Sequence, residues 1–246
     1  MLLARIFVGE LKPGDKLPPD RVLAEQLGVD RTSLRAALSE LAGRNIVRAV
    51  QGSGVVVLDY REHAGLDFLD AVFAMPDIDL GSAFNREMLD HWIEVMPAIA
   101  RSALNRAAPA DLASVDRLFT RQLDLLDGGG SPEAVSAIEV EIQDALVTLA
   151  GSTILRLFAN SMRKLRRQFA ISFFRHADMR NHVMTMRGWV QGLMAGKITP
   201  EEVSSALRAY LVEQTRTQRE RLSMLPSNPG RREKRNMPGE PEKSGI

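Results

Sequence analysis

Between Asp20 and Leu41 apolar residues return every three or four positions, Leu23 and Leu27 and then Leu34, Leu38 and Leu41, with Gly28 breaking the run. That spacing predicts two short amphipathic helices, each with one stripe to bury, joined by a tight turn. Gly28 suits the left-handed residue that closes the first helix. Asp30 can cap the second, and Val29 can pack on Leu34 across its start. Straight afterwards, "NIVRAVQGSGVVVLD" changes from helical to strand character. Two β-branched runs flank Gln51–Gly54, which predicts a hairpin. From His63 to about Leu222 the pattern is helical again, broken at "AMPDIDLGS", "DGGGSPEA", "FRHADMR" and "AGKITPEE". Ser131 with Pro132, and Thr199 with Pro200, each read as an N-cap followed by proline at the first helical position. Strand pattern recurs nowhere else. The chain is therefore expected to be mainly α in two parts: residues 1–60 with the hairpin, and an all-helical bundle over 61–224. Residues 225–246 mix proline, glycine and charge with little to bury, and are expected to form a disordered tail.

Composition adds exclusions. At 246 residues, 45% hydrophobic and 26% charged, the chain is of ordinary globular type and long enough for two modest domains. No apolar run approaches the roughly 18 residues of a membrane span. The start "MLLARIFVGELKPG" lacks a basic region and a small-residue cleavage site, so a cytoplasmic location is expected. With no cysteine, disulfides, thiolate zinc sites and cysteine nucleophiles are excluded. A net charge of +1 exerts no general pull on nucleic acid, so any DNA affinity must come from local charges.

Such an arrangement stands at the start of the second helix. "GVDRTSLRAALSEL" crowds Arg31, Thr32, Ser33 and Arg35 into the first turns while the leucines occupy the opposite face. In a helix-turn-helix the second helix enters the major groove end-on, so donors belong at its N-terminus. Arginine can grip guanine O6 and N7, and short hydroxyls can meet phosphate without holding the helix away. An amphipathic helix with solvated arginines is the competing reading. The hairpin that follows favours the first, as a wing whose tip, Gln51 and Gly52, can lie against the minor groove. A phosphate-cradling loop would lead into a helix, whereas "GSG" leads into "VVV".

These residues carry a resemblance. "GELKPGDKLPPDRVLAEQLGVDRTSLRAALSELAGRNIVRAVQGSGVVV" resembles the winged-helix domain of GntR-family bacterial transcription regulators, including its "L-x-P-G-x-x-L-P" opening and "G-V-x-R" turn. The resemblance implies a winged helix-turn-helix that binds a DNA operator through Arg21, Arg31, Thr32, Ser33, Arg35, Gln51 and Gly52. Asp30 stands where the family has a small hydroxyl residue, which favours a capping role over a DNA contact. Pro19 replaces the usual serine or alanine, and the opening helix is short for the family, which puts a natural start upstream of Met1 among the expectations. The helical remainder, with "EIQDALVTLAGSTILRLFANSMRKL", resembles the effector domain of the FadR subfamily.

Many members of that subfamily hold a divalent metal in a "D-x-x-F-H … H … H" pattern. The corresponding places here are Glu139, Gln143, about Met186 and Tyr210, a set poor in metal ligands, so no metal and no cofactor are expected. The histidines His63, His91, His176 and His182 are read as surface or loop residues. Trp92 and Met96 stand where acid-binding members carry arginine and glutamate. Trp92, Met96, Gln143, Met186 and Tyr210 are therefore the candidate effector contacts, in a cavity suited to an acyl-CoA or other lipid-like acid. "RKLRRQF", Arg163 to Phe169, reads as a solvated face or as a partner for a phosphate-bearing head group. Glu139, Glu141 and Asp144 crowd one helix, but no nucleophile or oxyanion donor accompanies them, so an enzyme is not expected. The sequence thus points to a homodimeric DNA-binding regulator, in the sense of a repressor, binding an inverted repeat and answering to a small-molecule effector. A DNA-binding dimer without an effector, and a sensor of a small organic acid, remain as alternatives.

Overall fold

The computed structural model describes residues 1–75, 78–175 and 178–231. Helix α1 (Leu2–Phe7) buries Leu2, Ile6 and Phe7. Helix α2 (Asp20–Leu27) stops at Gly28, whose φ of 66° is open to a residue without a Cβ. Helix α3 (Arg31–Gly43) begins at Asp30, whose Oδ1 accepts the Ser33 backbone N–H at 2.9 Å. Leu34, Leu38 and Leu41 turn inward onto Leu23, as their spacing required. Val29 stays 43% exposed, so the expected packing across the start of α3 adds little.

Strands β1 (Val47–Val50) and β2 (Gly54–Val57) pair antiparallel, from Val47 opposite Val57 to Val50 opposite Gly54. Gly52 and Gly54 take φ of 73° and 83° in the connecting turn. The proline-rich approach to α2 lies along the outer edge of β2: Leu17 N–H donates to Val55 O at 2.8 Å, and Val57 N–H to Asp15 O at 2.9 Å. This gives the wing a third, short strand-like edge that satisfies β2 on both sides.

The first core does not end at residue 60. Helix α4 (Tyr60–His63) brings Tyr60 onto Phe68, stacked at 4.6 Å between ring centroids. Helix α5 (Leu66–Phe73) and strand β3 (Ile78–Asp79) add Phe68, Val72 and Ile78 to the same buried cluster. On its other side α5 meets the helical part, where Lys164 Nζ lies 3.2 Å from Asp70.

The remaining helices are α6 (Ser82–Leu104), α7 (Pro109–Asp127), α8 (Pro132–Leu149), α9 (Thr153–Ser161), α10 (Arg163–Phe174), α11 (Met179–Met194) and α12 (Pro200–Ser223). Ser131 and Thr199 cap α8 and α12 as expected, and Thr199 forms a full capping box with Glu202. Helix α8 lies centrally, packed on α6, α7 and α10, while α12 runs along α6. A two-pronged bond fixes α11 to α7, with Arg187 Nε and Nη2 donating to the Asp116 carboxylate at 2.9 and 3.2 Å. The arginine holds the Asp116 carboxyl below the usual carboxylate range.

The expectation of disorder from residue 225 needs correction. Pro226 and Ser227 carbonyls accept the Ser82 and Ala83 backbone N–H groups at 2.9 and 3.2 Å. These are donors at the start of α6 that have no partner within the helix. Strand β4 (Gly230–Arg231) then pairs with β3. Gly81 makes the approach possible, because a Cβ there would fall 2.5 Å from Ser227 O. The rest of the expected tail, residues 232–246, lies outside the described residues, as does His176.

Candidate nucleic-acid interface and effector cavity

The first turn of α3 presents four polar side chains in different states. Arg31 and Thr32 are exposed, and neither side chain has a partner among the described residues. Ser33 is committed: its backbone N–H and its hydroxyl both donate to Asp30, at 2.9 and 2.6 Å. These bonds, the hydroxyl's first, hold the Asp30 carboxyl below its ordinary range. A serine has one hydroxyl proton, so Ser33 meets a phosphate only by leaving Asp30. Asp30 thus fills the capping role that its identity suggested.

Arg35 reaches back across the turn, with Nε donating to Asp20 Oδ2 at 2.9 Å. Arg21 Nε donates to Glu25 Oε1 at 3.2 Å. Exposed pairs of this kind contribute about 0–1 kcal/mol, so both guanidinium groups can turn to DNA at small cost. For Arg35 the pair also aims the side chain and leaves its terminal N–H groups for a base or phosphate. Gln51 and Gly52 are exposed at the wing tip, as expected. Arg48 was passed over in the sequence. It is exposed on β1 beside buried Val47, and the strand's period of two was the signal that turns it outward.

In the helical part, two adjoining cavities of about 50 and 80 Å³ share Trp92, Met96, Gln143 and Phe169 as a common wall. Trp92 and Phe169 pack with ring centroids 4.9 Å apart. The outer lobe is closed by His91, Val147, Phe158, Met162 and Arg166. The inner lobe adds Phe119, Phe173, Phe174, Met186 and the polar pair Glu139 and His182. Trp92, Met96, Gln143 and Met186 therefore line one cavity system. Tyr210 touches it through His182, whose Nδ1 lies 3.0 Å from the Tyr210 hydroxyl.

A chain of polar groups crosses the wall between the lobes. Arg166 donates to Gln143 Oε1 at 3.3 Å, to Asp144 Oδ1 at 2.7 Å and to Ala159 O at 3.0 Å. Gln143 Nε2 donates to Glu139 Oε1 at 3.3 Å, and Gln122 Nε2 to Glu139 Oε2 at the same distance. Two buried atoms of the chain, Gln122 Oε1 and Arg166 Nε, have no partner among the described residues. Burial pushes the Glu139 carboxyl above its ordinary pKa, against the lowering by the two glutamine amides; the carboxyl faces the inner lobe.

Two sequence readings change here. His182 is not a surface or loop residue: it is 6% exposed, packed on the edges of Phe173 and Phe174, and burial pushes its pKa down to about 4. The Tyr210 hydroxyl is pushed up to about 12, first by burial and then by Asp178 and Glu139 nearby. In the comparison with metal-binding members, it is therefore His182, one turn before Met186, that meets Tyr210. "RKLRRQF" is not uniformly solvated either, since Arg166 is buried while Arg167 is exposed and Arg163 pairs with Asp144 at 2.8 Å. His63 and His91 are exposed, as read.

These groups do not suit a divalent metal ion. One carboxyl disfavoured as an anion, a carboxamide, a phenol and a single imidazole make a weak donor set, and no three His, Cys, Asp or Glu side chains gather as a site among the described residues. The carboxylates of α8 have separate surroundings: Glu141 pairs with Arg121, Asp144 with Arg163 and Arg166, and Glu139 lines the cavity.

Residues 1–57 match the family described as bacterial regulatory proteins, gntR family. The HTH-type transcriptional regulator Mce2R of Mycobacterium tuberculosis is 35% identical over 159 residues, a stretch that covers 64% of each chain and so under two thirds of that relative's length. The fatty acid metabolism regulator protein of Pectobacterium atrosepticum is 22% identical over 209 residues, 85% of this chain and 84% of that one. Among solved structures, Lar, described as controlling expression of the Listeria monocytogenes agr system, superposes with a TM-score of 0.53 at 19% identity over 90% of this chain and 94% of its own, a likeness of fold. Over residues 1–57, the winged helix-turn-helix and its hairpin, the chain is thus similar to the gntR family of bacterial regulatory proteins.

Proposed function

We propose that this GntR-type transcriptional regulator represses from an inverted-repeat operator as a homodimer, and that an apolar, lipid-like acid such as an acyl-CoA releases it. The observation that carries the DNA half is the first turn of α3, where Arg31 and Thr32 stand exposed, with no side-chain partner among the described residues, beside a firmly capped Ser33. Arg21, Arg35, Gln51 and Gly52 complete the contact set, with Ser33 in reserve. Residues 1–60 act as the DNA-binding domain, their core completed by Phe68, Val72 and Ile78, and the helices that follow as the effector and dimerisation domain. The protein acts in the cytoplasm without metal, cofactor or catalysis of its own; no described helix is long and apolar enough to cross a membrane. Ile154 and Leu157 on α9 are 76% and 58% exposed, an apolar pair that a second copy would cover.

The effector half rests on the apolar walls shared by the two lobes. Its test is displacement of the protein from its operator by a chain-length series of acyl-CoAs, run beside short dicarboxylates and sugar acids. Each buried methylene contributes roughly 0.8 kcal/mol, so potency is expected to rise by about tenfold for each pair of carbons until the cavity is full. A response to short polar acids alone would favour the organic-acid sensor, with buried Arg166 as its anion partner. No response to any ligand would leave a DNA-binding dimer without an effector.

A further inference from the structure

From the inner lobe we infer a recognition site for a hydroxyl group carried on the apolar body of the effector, held by His182 Nε2 together with Glu139. The inference rests on the effector reading above and specifies its chemistry. An apolar lobe meant for a plain chain would leave these polar groups facing hydrocarbon, at a cost that a leucine in their place would avoid. Glu139 and His182 line the inner lobe and not the outer one. Both amide bonds to Glu139 are long, 3.3 Å, and Gln122 Oε1 behind them has no partner, so the cluster is incompletely satisfied.

The charges decide what kind of group completes it. No lysine or arginine lines the inner lobe, and Arg166 belongs to the outer one. An anionic group at the inner end would face the Glu139 carboxyl without a counter-charge, so the group must be neutral. The Tyr210 hydroxyl fixes the His182 ring through Nδ1, and Nε2 has no hydrogen-bond partner among the described residues. Nε2 donates in one tautomer and accepts in the other. A hydroxyl, which does both, satisfies His182 in either state and bonds the carboxyl as well; a keto oxygen fits only one. The acid or thioester head of the same ligand then lies toward the outer lobe and Arg166.

At about 10–15 Å³ for each water-sized group, the two lobes together hold on the order of ten small groups, which sets the probe length. Decanoate, 10-hydroxydecanoate and decanedioate put a methyl, a hydroxyl and a carboxylate at the same end. Binding of each to the full-length protein is measured by calorimetry. We expect 10-hydroxydecanoate to bind at least tenfold tighter than decanoate, and decanedioate weakest, because a site built for a hydroxyl discriminates against an analogue that leaves its groups unpaired. In His182→Phe the hydroxyl preference should vanish while decanoate still binds; Glu139→Leu serves if that variant does not fold. Equal binding of decanoate and 10-hydroxydecanoate would overturn the hydroxyl site while leaving the effector reading intact. Tighter binding of decanedioate, alone or on adding a divalent ion, would overturn it in favour of an anion or metal site. No binding by any of the three up to millimolar concentration would bring down the effector reading and this inference together.

Discussion

Replacing Arg31 by alanine is expected to weaken operator binding about 5- to 150-fold, or about 1–3 kcal/mol, if its guanidinium reads a base. If it meets a phosphate instead, affinity falls on all sequences alike and the slope of log K against log salt drops by about one. The expectation follows from the state of the side chain: Arg31 is exposed at the first position of α3 and has no intramolecular partner among the described residues to surrender. Arg35→Ala should lose a similar amount, because the bond to Asp20 that it forfeits is exposed and contributes about 0–1 kcal/mol of its own. Arg44 gives the contrast. It sits at the other end of α3, paired with Glu40 and Asp67, and its alanine variant should bind the operator as before. Unchanged affinity and salt slope in both Arg31→Ala and Arg35→Ala would remove α3 from the role of recognition helix.

The second large effect is on stability against pH. Folded, His182 has its pKa pushed down to about 4; unfolded, it returns to the ordinary value near 6.5. Above pH 6.5 both states hold the ring neutral and the difference contributes nothing. As the pH falls from 6.5 to 4 the unfolded chain takes up a proton that the folded one refuses, and stability declines by about 3 kcal/mol. Glu139 works in the opposite sense. Its raised pKa means the folded state binds a proton more readily than the unfolded one, so acidification relieves part of the strain. The two contributions are separated by difference. Urea unfolding of the wild type and of His182→Gln, compared from pH 7.5 to 4.5, should show the wild type losing more stability, with the gap opening below pH 6.5. Parallel curves would mean that His182 is not the buried neutral imidazole described above.

The parts of the molecule that depend on neighbours in sequence were legible beforehand. Leu34, Leu38 and Leu41 face the core because a helix of 3.6 residues per turn puts them on one side, and Gly28, Ser131 and Thr199 end or begin helices through their own backbone and side-chain chemistry. What was not legible depends on distant partners. His182 is buried by Phe173 and Phe174 and held by Tyr210, 28 residues away, so its own segment gave no sign of it. Arg166 looks like its neighbours Arg163 and Arg167 until α8 supplies Gln143 and Asp144 beneath it. Residues 225–231 have little to bury, and they are placed by donors that the start of α6 could not satisfy itself. The extension of the first core through Phe68 and Val72 was hidden for the same reason, because α5 has apolar faces for two neighbours.

In the function proposed above, the chain reads operator DNA through two copies of α3 and its wing. Selection of bound duplexes from a random pool by the full-length protein, followed by measurement of the complex's mass in light scattering, tests it most directly. Two symmetry-related recognition helices predict an enriched inverted repeat, with half-sites spaced at about one helical turn or a multiple of it and two chains per duplex. A pool that shows no enriched sequence, or a single half-site bound by one chain, would contradict the account.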